Sequence, residues 1–148
     1  MEKIIVSTTF GNVKIEAINN QITRLDLTNE GTIDSNNPVL IEAGNQIRKY
    51  FLGEKVNFNL PLNPIGTPFQ KAVWRALTEI PYGQTTSYQD IAIKVGNIKA
   101  VRAVGGAINK NPIMIVIPCH RVIGKDGSLV GFYGGLALKQ RLLDIERR

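Results

Sequence analysis

The chain has 148 residues, of which 43% are hydrophobic, so it suits one globular domain or two small lobes that share a core. Its 18 basic and 12 acidic residues give a net charge of +6, which favours a polyanionic partner, although a solvated basic surface explains the charge equally well. The single cysteine excludes an internal disulfide, and the apolar run after Met1 is too short for a signal peptide or a membrane span, so we expect a cytoplasmic protein.

The first part of the chain predicts a small scaffold lobe. Stretches rich in β-branched residues predict three strands at residues 3–8, 12–18 and 21–28, joined by tight turns. After a polar loop, Pro38 opens a helix that reaches Leu52, and Gly53 is placed to end it. A proline-punctuated linker at 61–66 follows, so residues 1–60 are expected to combine an antiparallel sheet with one helix.

Residues 67–148 predict a mostly helical second lobe, which makes the fold class α+β. The Thr67-Pro68 pair is a helix cap followed by proline at the first helical position. Two further helices are predicted at 88–95 and 99–109, and a glycine-containing turn between them is typical of a helix-turn-helix. A last helix, from Leu136 onward, is expected to bury its leucines and to keep its Lys and Arg side chains outside.

The helix at 99–109 is unusually rich in small residues. Gly105 and Gly106 lie inside it, and each glycine costs roughly 1 kcal/mol relative to alanine. Tight packing against another helix is one explanation. The other is a surface kept small so that a nucleic-acid backbone can approach closely, and the basic charge and the neighbouring Arg102 favour it.

The stretch Ile115–Gly124 contains the chain's only cysteine and its only histidine, Cys119 and His120. β-Branched residues on both sides predict buried, strand-like flanks, and Pro118 should break regular pairing beside the thiol. Nearby cations favour a thiolate, so His120 and Arg121 can make this cysteine reactive. The alternative is a buried cysteine that behaves as a small hydrophobic residue.

His120 is the only imidazole, and therefore the only candidate for a base that titrates near neutral pH. In an extended strand, however, adjacent side chains point to opposite faces. His120 could then reach Cys119 only through a local turn or a bridging water. The spacing alone leaves both routes open.

At these residues the sequence resembles the O6-alkylguanine-DNA alkyltransferases, which repair DNA by alkylating themselves. The segment Pro118–Val122 resembles the active-site motif of that family. Residues 102–107, Asn111-Pro112 and 134–136 resemble the family's segments on either side of it. The resemblance covers roughly residues 67–146 and implies a partner, double-stranded DNA containing O6-alkylguanine, with O4 of thymine as a further target.

The resemblance also implies chemical roles for five residues. Cys119 accepts the alkyl group, and His120 deprotonates it through a water molecule. Glu146 orients His120, and Asn111 ties the helix-turn-helix to the cysteine segment. Tyr88 donates a proton to the departing base. The protein is expected to act as a monomer without a membrane partner. Some family members carry zinc in the N-terminal lobe, but one Cys and one His cannot supply its ligands here, so we expect neither metal nor cofactor.

Contacts with DNA follow from the same resemblance. Arg102 would fill the gap left by a flipped-out nucleotide, Tyr88 would help to rotate its phosphate, and Gln89 and Asn97 would contact the backbone. The residues expected to wall the base pocket are Ile108, Met114, Phe132 and Tyr133. Tyr133 stands where relatives commonly have a small residue, so the pocket is expected to be narrow for bulky adducts.

Two other classes of protein remain in view. A non-catalytic alkyl-lesion binder would have the same fold, but such proteins lack the motif cysteine, whereas Cys119 is present. A helix-turn-helix regulator would explain the helices, but it offers no reason for the sequence from Pro118 to Arg121.

Overall fold

A computed structural model describes residues 1–129, 131–132 and 134–147, which fall into two compact units. The first unit comprises Met1–Ile65 and Pro112–Met114, and the second comprises Gly66–Asn111 and Ile115–Arg148. Within the described residues, no helix is both long and apolar enough to cross a membrane.

The first unit is built on a three-stranded antiparallel sheet, as the sequence predicted. Its strands are β1 (Glu2–Ser7), β2 (Asn12–Ile18) and β3 (Gln21–Thr28), in that spatial order. Asn19 and Asn20, between β2 and β3, have φ of 52° and 62°. Two left-handed residues in a two-residue turn match the twist of a hairpin, and asparagine tolerates that conformation.

One helix, α1 (Pro38–Phe51), packs against the sheet. The Asn37 side chain caps it by accepting a hydrogen bond from the Val39 backbone N–H. A Cβ added at Gly44 would lie 2.9 Å from Val6 Cγ1, so α1 approaches β1 closely through a glycine. The buried face of α1 includes Leu40, Ala43, Ile47, Tyr50 and Phe51.

A short segment far along the chain completes the first unit. The N–H of Leu25 donates to the Pro112 carbonyl at 2.9 Å, and the N–H of Met114 donates to the Leu25 carbonyl at 3.2 Å. These bonds make residues 112–114 an addition to the edge of β3.

Among the described residues, the second unit holds four α-helices: α2 (Pro68–Leu77), α3 (Tyr88–Lys94), α4 (Val101–Asn109) and α5 (Leu136–Glu146). α2 begins with a capping box between Thr67 and Gln70. The indole N–H of Trp74 donates to the Ala107 carbonyl at 2.8 Å, which fixes α2 against α4 in the core. α3 and α4 pack together with a turn between them, in the order expected for a helix-turn-helix.

Three local predictions need correction. A 3-10 turn, Ile98–Ala100, replaces the first turn of the predicted helix at 99–109, because the Asn97 side chain accepts from the Lys99 N–H and caps that turn. In α5, Lys139 is buried while Leu136 is half exposed. The predicted strand before Cys119 is also absent. Only Val122–Ile123 (β5) is a strand there, and it pairs in parallel with Thr86–Ser87 (β4).

Candidate active site

The backbone turns sharply just before Cys119. Pro118 has φ −81° and ψ 65°, and the Cys119 N–H donates to the Ile117 carbonyl at 2.8 Å. This is an inverse γ-turn. The Asn111 side chain also donates to the Ile117 carbonyl, at 2.7 Å. Because this carbonyl is engaged twice and Pro118 has no N–H, the segment cannot continue as a strand.

Cys119, His120 and Arg121 form one turn of 3-10 helix, and each is buried. The side chains of consecutive residues in such a turn do not point to opposite faces as they do in a strand. The obstacle to a Cys119–His120 partnership in an extended strand is therefore removed by a local turn.

His120 lies against the carboxylate of Glu146, the last residue of α5. Its Nε2 is 2.6 Å from Glu146 Oε2. Arg121 donates to the same carboxylate, from Nε to Oε1 at 2.8 Å and from Nη2 to Oε2 at 3.1 Å. Glu146 accepts hydrogen bonds from the Arg121 guanidinium through both oxygens, and an ionised carboxylate can only accept hydrogen bonds. In neutral His120 the proton is therefore on Nε2, and Nδ1 carries the lone pair.

Burial lowers the pKa of His120, because an imidazolium ion is poorly solvated there. The Glu146 carboxylate opposes this effect without cancelling it. A histidine with a lowered pKa is neutral at pH 7 and can act as a base.

Burial raises the pKa of the Cys119 thiol to about 11, and a hydrogen bond from Asn111 only partly offsets this. The adjacent cations, which the sequence indicates can favour a thiolate, are opposed in the free protein by this burial. Arg121 is paired with Glu146, and burial outweighs the favourable charge interactions that remain. Together these effects favour the protonated thiol at Cys119 in the free protein.

Lys139 is the charged residue of this site that sequence reasoning missed. It is fully buried in α5, its Nζ lies 3.4 Å from the Gly131 carbonyl oxygen, and its charge favours the Cys119 thiolate. Burial lowers the pKa of Lys139, and the interaction with Cys119 opposes that shift. One signal was available in the sequence: Lys139 precedes Glu146 by two helical turns, which places both on one face of α5.

Tyr88 is the first residue of α3, and its ring faces α4. A Cβ built at Gly105 would lie 3.9 Å from Tyr88 Cδ1, and one at Gly131 would lie 4.0 Å from the Tyr88 hydroxyl. Burial raises the pKa of Tyr88, and the negative charge of ionised Cys119 raises it further. The phenol therefore keeps its proton when the thiolate forms.

The other predicted site residues fall into separate environments. Arg102 is exposed on α4, Asn97 is exposed at the turn before it, and Gln89 is partly exposed on α3. Ile108 is buried in α4 and Phe132 is partly exposed. Met114 belongs to the first unit, and Tyr133 lies outside the described residues.

The second unit thus combines a helix-turn-helix with one buried cysteine, a neutral histidine and a carboxylate, which defines a class of DNA-binding transferases that use a protein thiol. Residues 68–148 match the model of a protein family described as "6-O-methylguanine DNA methyltransferase, DNA binding domain". The chain belongs to the methylated-DNA–protein-cysteine methyltransferase family, as the resemblance in its motifs predicted.

Two relatives illustrate the match. The constitutive methylated-DNA–protein-cysteine methyltransferase of Bacillus subtilis is 46% identical over 151 aligned residues, which cover 95% of this chain and 92% of that protein. The methyltransferase of Methanosarcina barkeri is 55% identical over 105 residues, which cover 71% of this chain but only 66% of that protein.

Solved structures agree with the predicted fold. The O6-methylguanine methyltransferase of Mycobacterium tuberculosis has a TM-score of 0.88 and 36% identity, covering 99% of this chain and 92% of its own. A second crystal structure, M. tuberculosis OGT in complex with DNA, has a TM-score of 0.88 and 38% identity, covering 97% of this chain and 91% of its own.

Proposed function

We propose that this protein repairs duplex DNA by transferring an alkyl group from O6 of guanine irreversibly to the Sγ of Cys119. The observation that carries the proposal is the 2.6 Å contact between His120 and Glu146 beside the chain's only cysteine. Family membership and the DNA complex of a relative 38% identical support DNA as the partner.

The reaction begins with removal of the thiol proton. His120 Nδ1 accepts it through a water molecule, and the resulting imidazolium ion is stabilised by Glu146. The lowered pKa of His120 keeps the imidazole unprotonated at pH 7, so that it can accept a proton. Lys139 offsets part of the cost of forming a negative charge at a buried sulfur.

The thiolate then attacks the alkyl carbon. A carbon–sulfur bond forms as the bond between that carbon and O6 breaks, and the electron pair moves onto guanine. Tyr88 donates its proton to the guanine, which is thereby restored as a neutral base within the DNA strand, and the proton on His120 can later restore the phenol. The raised pKa of Tyr88 keeps this proton in place until the charge on guanine develops.

Stacking in a duplex hides O6, so the nucleotide must first leave the helix, which costs a few kcal/mol. The exposed face of α4 supports this step. Arg102 is exposed there, and a Cβ at Gly106 would meet no described atom within 4 Å. The absence of a packing partner favours the explanation of a surface kept small for close approach of DNA. Gln89 and Asn97 are proposed to contact the backbone.

Base recognition is proposed to involve Ile108 and Phe132, with Met114 and Tyr133 as further walls inferred from the sequence. Asn111 supports the site by holding the Ile117 carbonyl beside the reactive turn. We further propose that the protein works as a monomer in the cytoplasm, where a single thiol stays reduced.

Mass spectrometry of the intact protein tests the proposal. The protein is mixed with a duplex containing one O6-methylguanine and, in parallel, with the same duplex containing guanine. We expect the mass to increase by one methyl group with the first duplex only, on the peptide that contains Cys119. Cys119→Ser should bind both duplexes without a change in mass. Binding by the unaltered protein without methylation would identify a lesion binder and contradict the proposal.

A further inference from the structure

Arg121 makes contacts that the transfer reaction does not explain. It is buried, and its guanidinium reaches three places: both oxygens of Glu146, the carbonyl of Ile80 at 2.7 Å from Nη1, and the ring of Tyr82, 5.7 Å from Cζ to the ring centroid. None of these contacts involves the sulfur of Cys119.

The first contact determines where the proton of the His120–Glu146 pair lies. Without a cation, a buried carboxylate beside an imidazole would either take up a proton or hold the imidazole in its charged form. In both cases His120 would be a poorer base. The planar guanidinium engages both carboxylate oxygens at once, which a lysine cannot do in the same way.

The second and third contacts attach Arg121 to the turn that follows α2. The same turn is also bound by Glu146, because the Gly83 N–H donates to Oε1 at 3.2 Å. Gly83 has φ 79°, and a Cβ there would lie 3.2 Å from the Glu146 carbonyl oxygen. The turn at residues 80–83 is therefore held by the carboxylate and the guanidinium of the active site.

This turn leads directly to Tyr88. Between them, β4 (Thr86–Ser87) pairs with β5 (Val122–Ile123), which begins at the residue after Arg121. The Ser87 hydroxyl then caps α3 by accepting from the Asp90 N–H. The segment at residues 80–87, which leads to Tyr88, is thus fixed at its start by Arg121 and Glu146 and at its end by pairing with β5.

We infer that Arg121 is a positioning residue with two tasks: it fixes the protonation of the His120–Glu146 pair, and through residues 80–83 it sets the place of Tyr88. The base and the proposed proton donor would then be aligned by one guanidinium. The inference rests on the proposed function for its catalytic meaning, but both tasks can be measured without substrate.

Three variants separate the tasks. Arg121→Met removes the charge and the hydrogen bonds, and Arg121→Lys keeps the charge but cannot span Glu146 and the Ile80 carbonyl together. Arg24→Met is the matched control, because Arg24 forms an exposed ion pair with Asp26 at 3.1 Å. If Arg121→Met does not fold, Arg121→Gln, which keeps a donor for Glu146, takes its place.

The first readout is nitrogen NMR of the imidazole, whose signals are unambiguous because His120 is the only histidine. The groups acting on it are Glu146 and Lys139 on α5, Arg121 beside it and the preceding thiol of Cys119. In the unaltered protein we expect the neutral His120 imidazole to carry its proton on Nε2 and to have an unprotonated Nδ1. In Arg121→Met the protonated imidazolium should persist to a pH higher by about 1 unit or more, since one adjacent charge shifts a pKa by about 1–3 units.

The second readout is amide hydrogen exchange. Exchange at Gly83 and in β4 should accelerate in both Arg121→Met and Arg121→Lys, while α2 and the Arg24→Met control stay unchanged. The acid limb of the alkyl-transfer rate should move upward in pH in Arg121→Met and stay near its original position in Arg121→Lys. Unchanged histidine signals together with unchanged Gly83 exchange, in the folded variants, would overturn the inference. Failure of alkyl transfer in the unaltered protein would overturn the proposed function alone.

Discussion

At the scale of single residues, the balance between burial and charge determines when Cys119 can react. The thiol has only 1% of its surface exposed and burial raises its pKa to about 11, so the protonated form strongly predominates at pH 7. A thiol of this kind is protected against indiscriminate alkylation. Its reactivity depends on a base that acts when substrate is present, and His120 is suited to that role.

The buried thiol should also affect stability at high pH. Its pKa rises from 9.0 to about 11 on folding, so the folded state holds the proton while the unfolded state loses it. The resulting stability is complete below pH 9.0 and is lost as pH rises toward 11. Two pKa units correspond to about 2–3 kcal/mol.

Comparison with Cys119→Ser measures this effect, because the serine hydroxyl does not ionise in that range. Chemical denaturation at pH 8 and pH 11 should show that the unaltered protein loses about 2–3 kcal/mol more of its unfolding free energy than the variant does. Tyr and Lys residues other than Tyr88 and Lys139, whose pKa values depend on the charge of Cys119, contribute alike in both proteins and cancel. Equal losses would mean that the thiol is not desolvated in the folded state.

Lys139 should have opposite effects on stability and reactivity. Replacing a buried cation with a hydrophobic residue of similar volume is often neutral or stabilising. Lys139→Met should therefore unfold at an equal or higher temperature, yet it should slow alkyl transfer about 10-fold, since one pKa unit on the thiol changes the thiolate fraction tenfold.

The difference in rate between Lys139→Met and the unaltered protein should shrink as pH rises. At high pH the Cys119 thiol ionises without the favourable charge of Lys139. Single-turnover rates from pH 7 to 10 test this. Lys125→Met, a change at an exposed residue of a surface turn, serves as the control. A deficit that is independent of pH would assign Lys139 a purely structural role.

These residues also mark how far the sequence could predict the site. Local motifs with family resemblance predicted Cys119, His120 and Glu146, because each lies within or at a characteristic distance from one short segment. How strongly burial raises the pKa of Cys119 was not predictable, since it depends on elements distant in the chain. Lys139 was missed because a lysine in a surface-type helix pattern normally faces solvent.

At the scale of elements, two helical glycines show how the same residue can serve opposite purposes. Gly44 in α1 has Val6 Cγ1 2.9 Å from the position of an added Cβ, whereas an added Cβ at Gly106 in α4 would meet no described atom within 4 Å. The first glycine is required by packing inside the protein. The second has no such packing partner among the described residues, which agrees with the proposed close approach of DNA.

Alanine substitutions at the two positions should therefore differ in sign. Gly106→Ala should raise the unfolding free energy by about 0.5–1 kcal/mol through helix propensity and should weaken binding to duplex DNA. Gly44→Ala should lower the unfolding free energy, because α1 must move away from β1, and should leave DNA affinity of the folded protein unchanged. Denaturant melts and binding titrations at one salt concentration measure both. Undiminished affinity in Gly106→Ala would remove the close-approach explanation.

Helix boundaries were predictable where a side chain caps them within a few residues. Thr67 and Gln70 form such a cap, and α2 begins where it was predicted. The turn at Cys119 was not predictable from local propensity, because it depends on the Asn111 amide, which donates to the Ile117 carbonyl six residues later in the chain. The β-branched residues do favour a strand, but the hydrogen bond from Asn111 and the γ-turn at Pro118 prevent it.

At the scale of the whole molecule, the net charge of +6 bears on the salt dependence of DNA binding, and the proposed thioether product bears on whether the protein can react more than once. Each phosphate neutralised should contribute a slope of about −0.9 to the logarithmic dependence of binding on salt. The chain offers no second thiol to which the alkyl group could move. A thioether has no good leaving group, so nothing in the proposed reaction restores Cys119.

We therefore expect one alkyl group per protein molecule, whatever the excess of lesion. Cys119 is almost fully buried, and added methylene groups in packed interiors cost about 1–3 kcal/mol. For a chain of this size, that loss lowers the melting temperature by about 3–10 °C. The alkylated protein should accordingly melt below the unreacted one at neutral pH. The difference should narrow toward pH 11, because only the unreacted protein still has a thiol to lose its proton.

Titration against excess labelled O6-methylguanine duplex, followed by melting of both forms, tests the expectation. Cys119→Ser taken through the same steps should acquire no label and show no shift, which controls for bound DNA. Transfer beyond one equivalent would demonstrate turnover and contradict the irreversible reaction. A single equivalent with an unchanged melting temperature would mean that the alkyl group occupies space that the folded protein provides without strain.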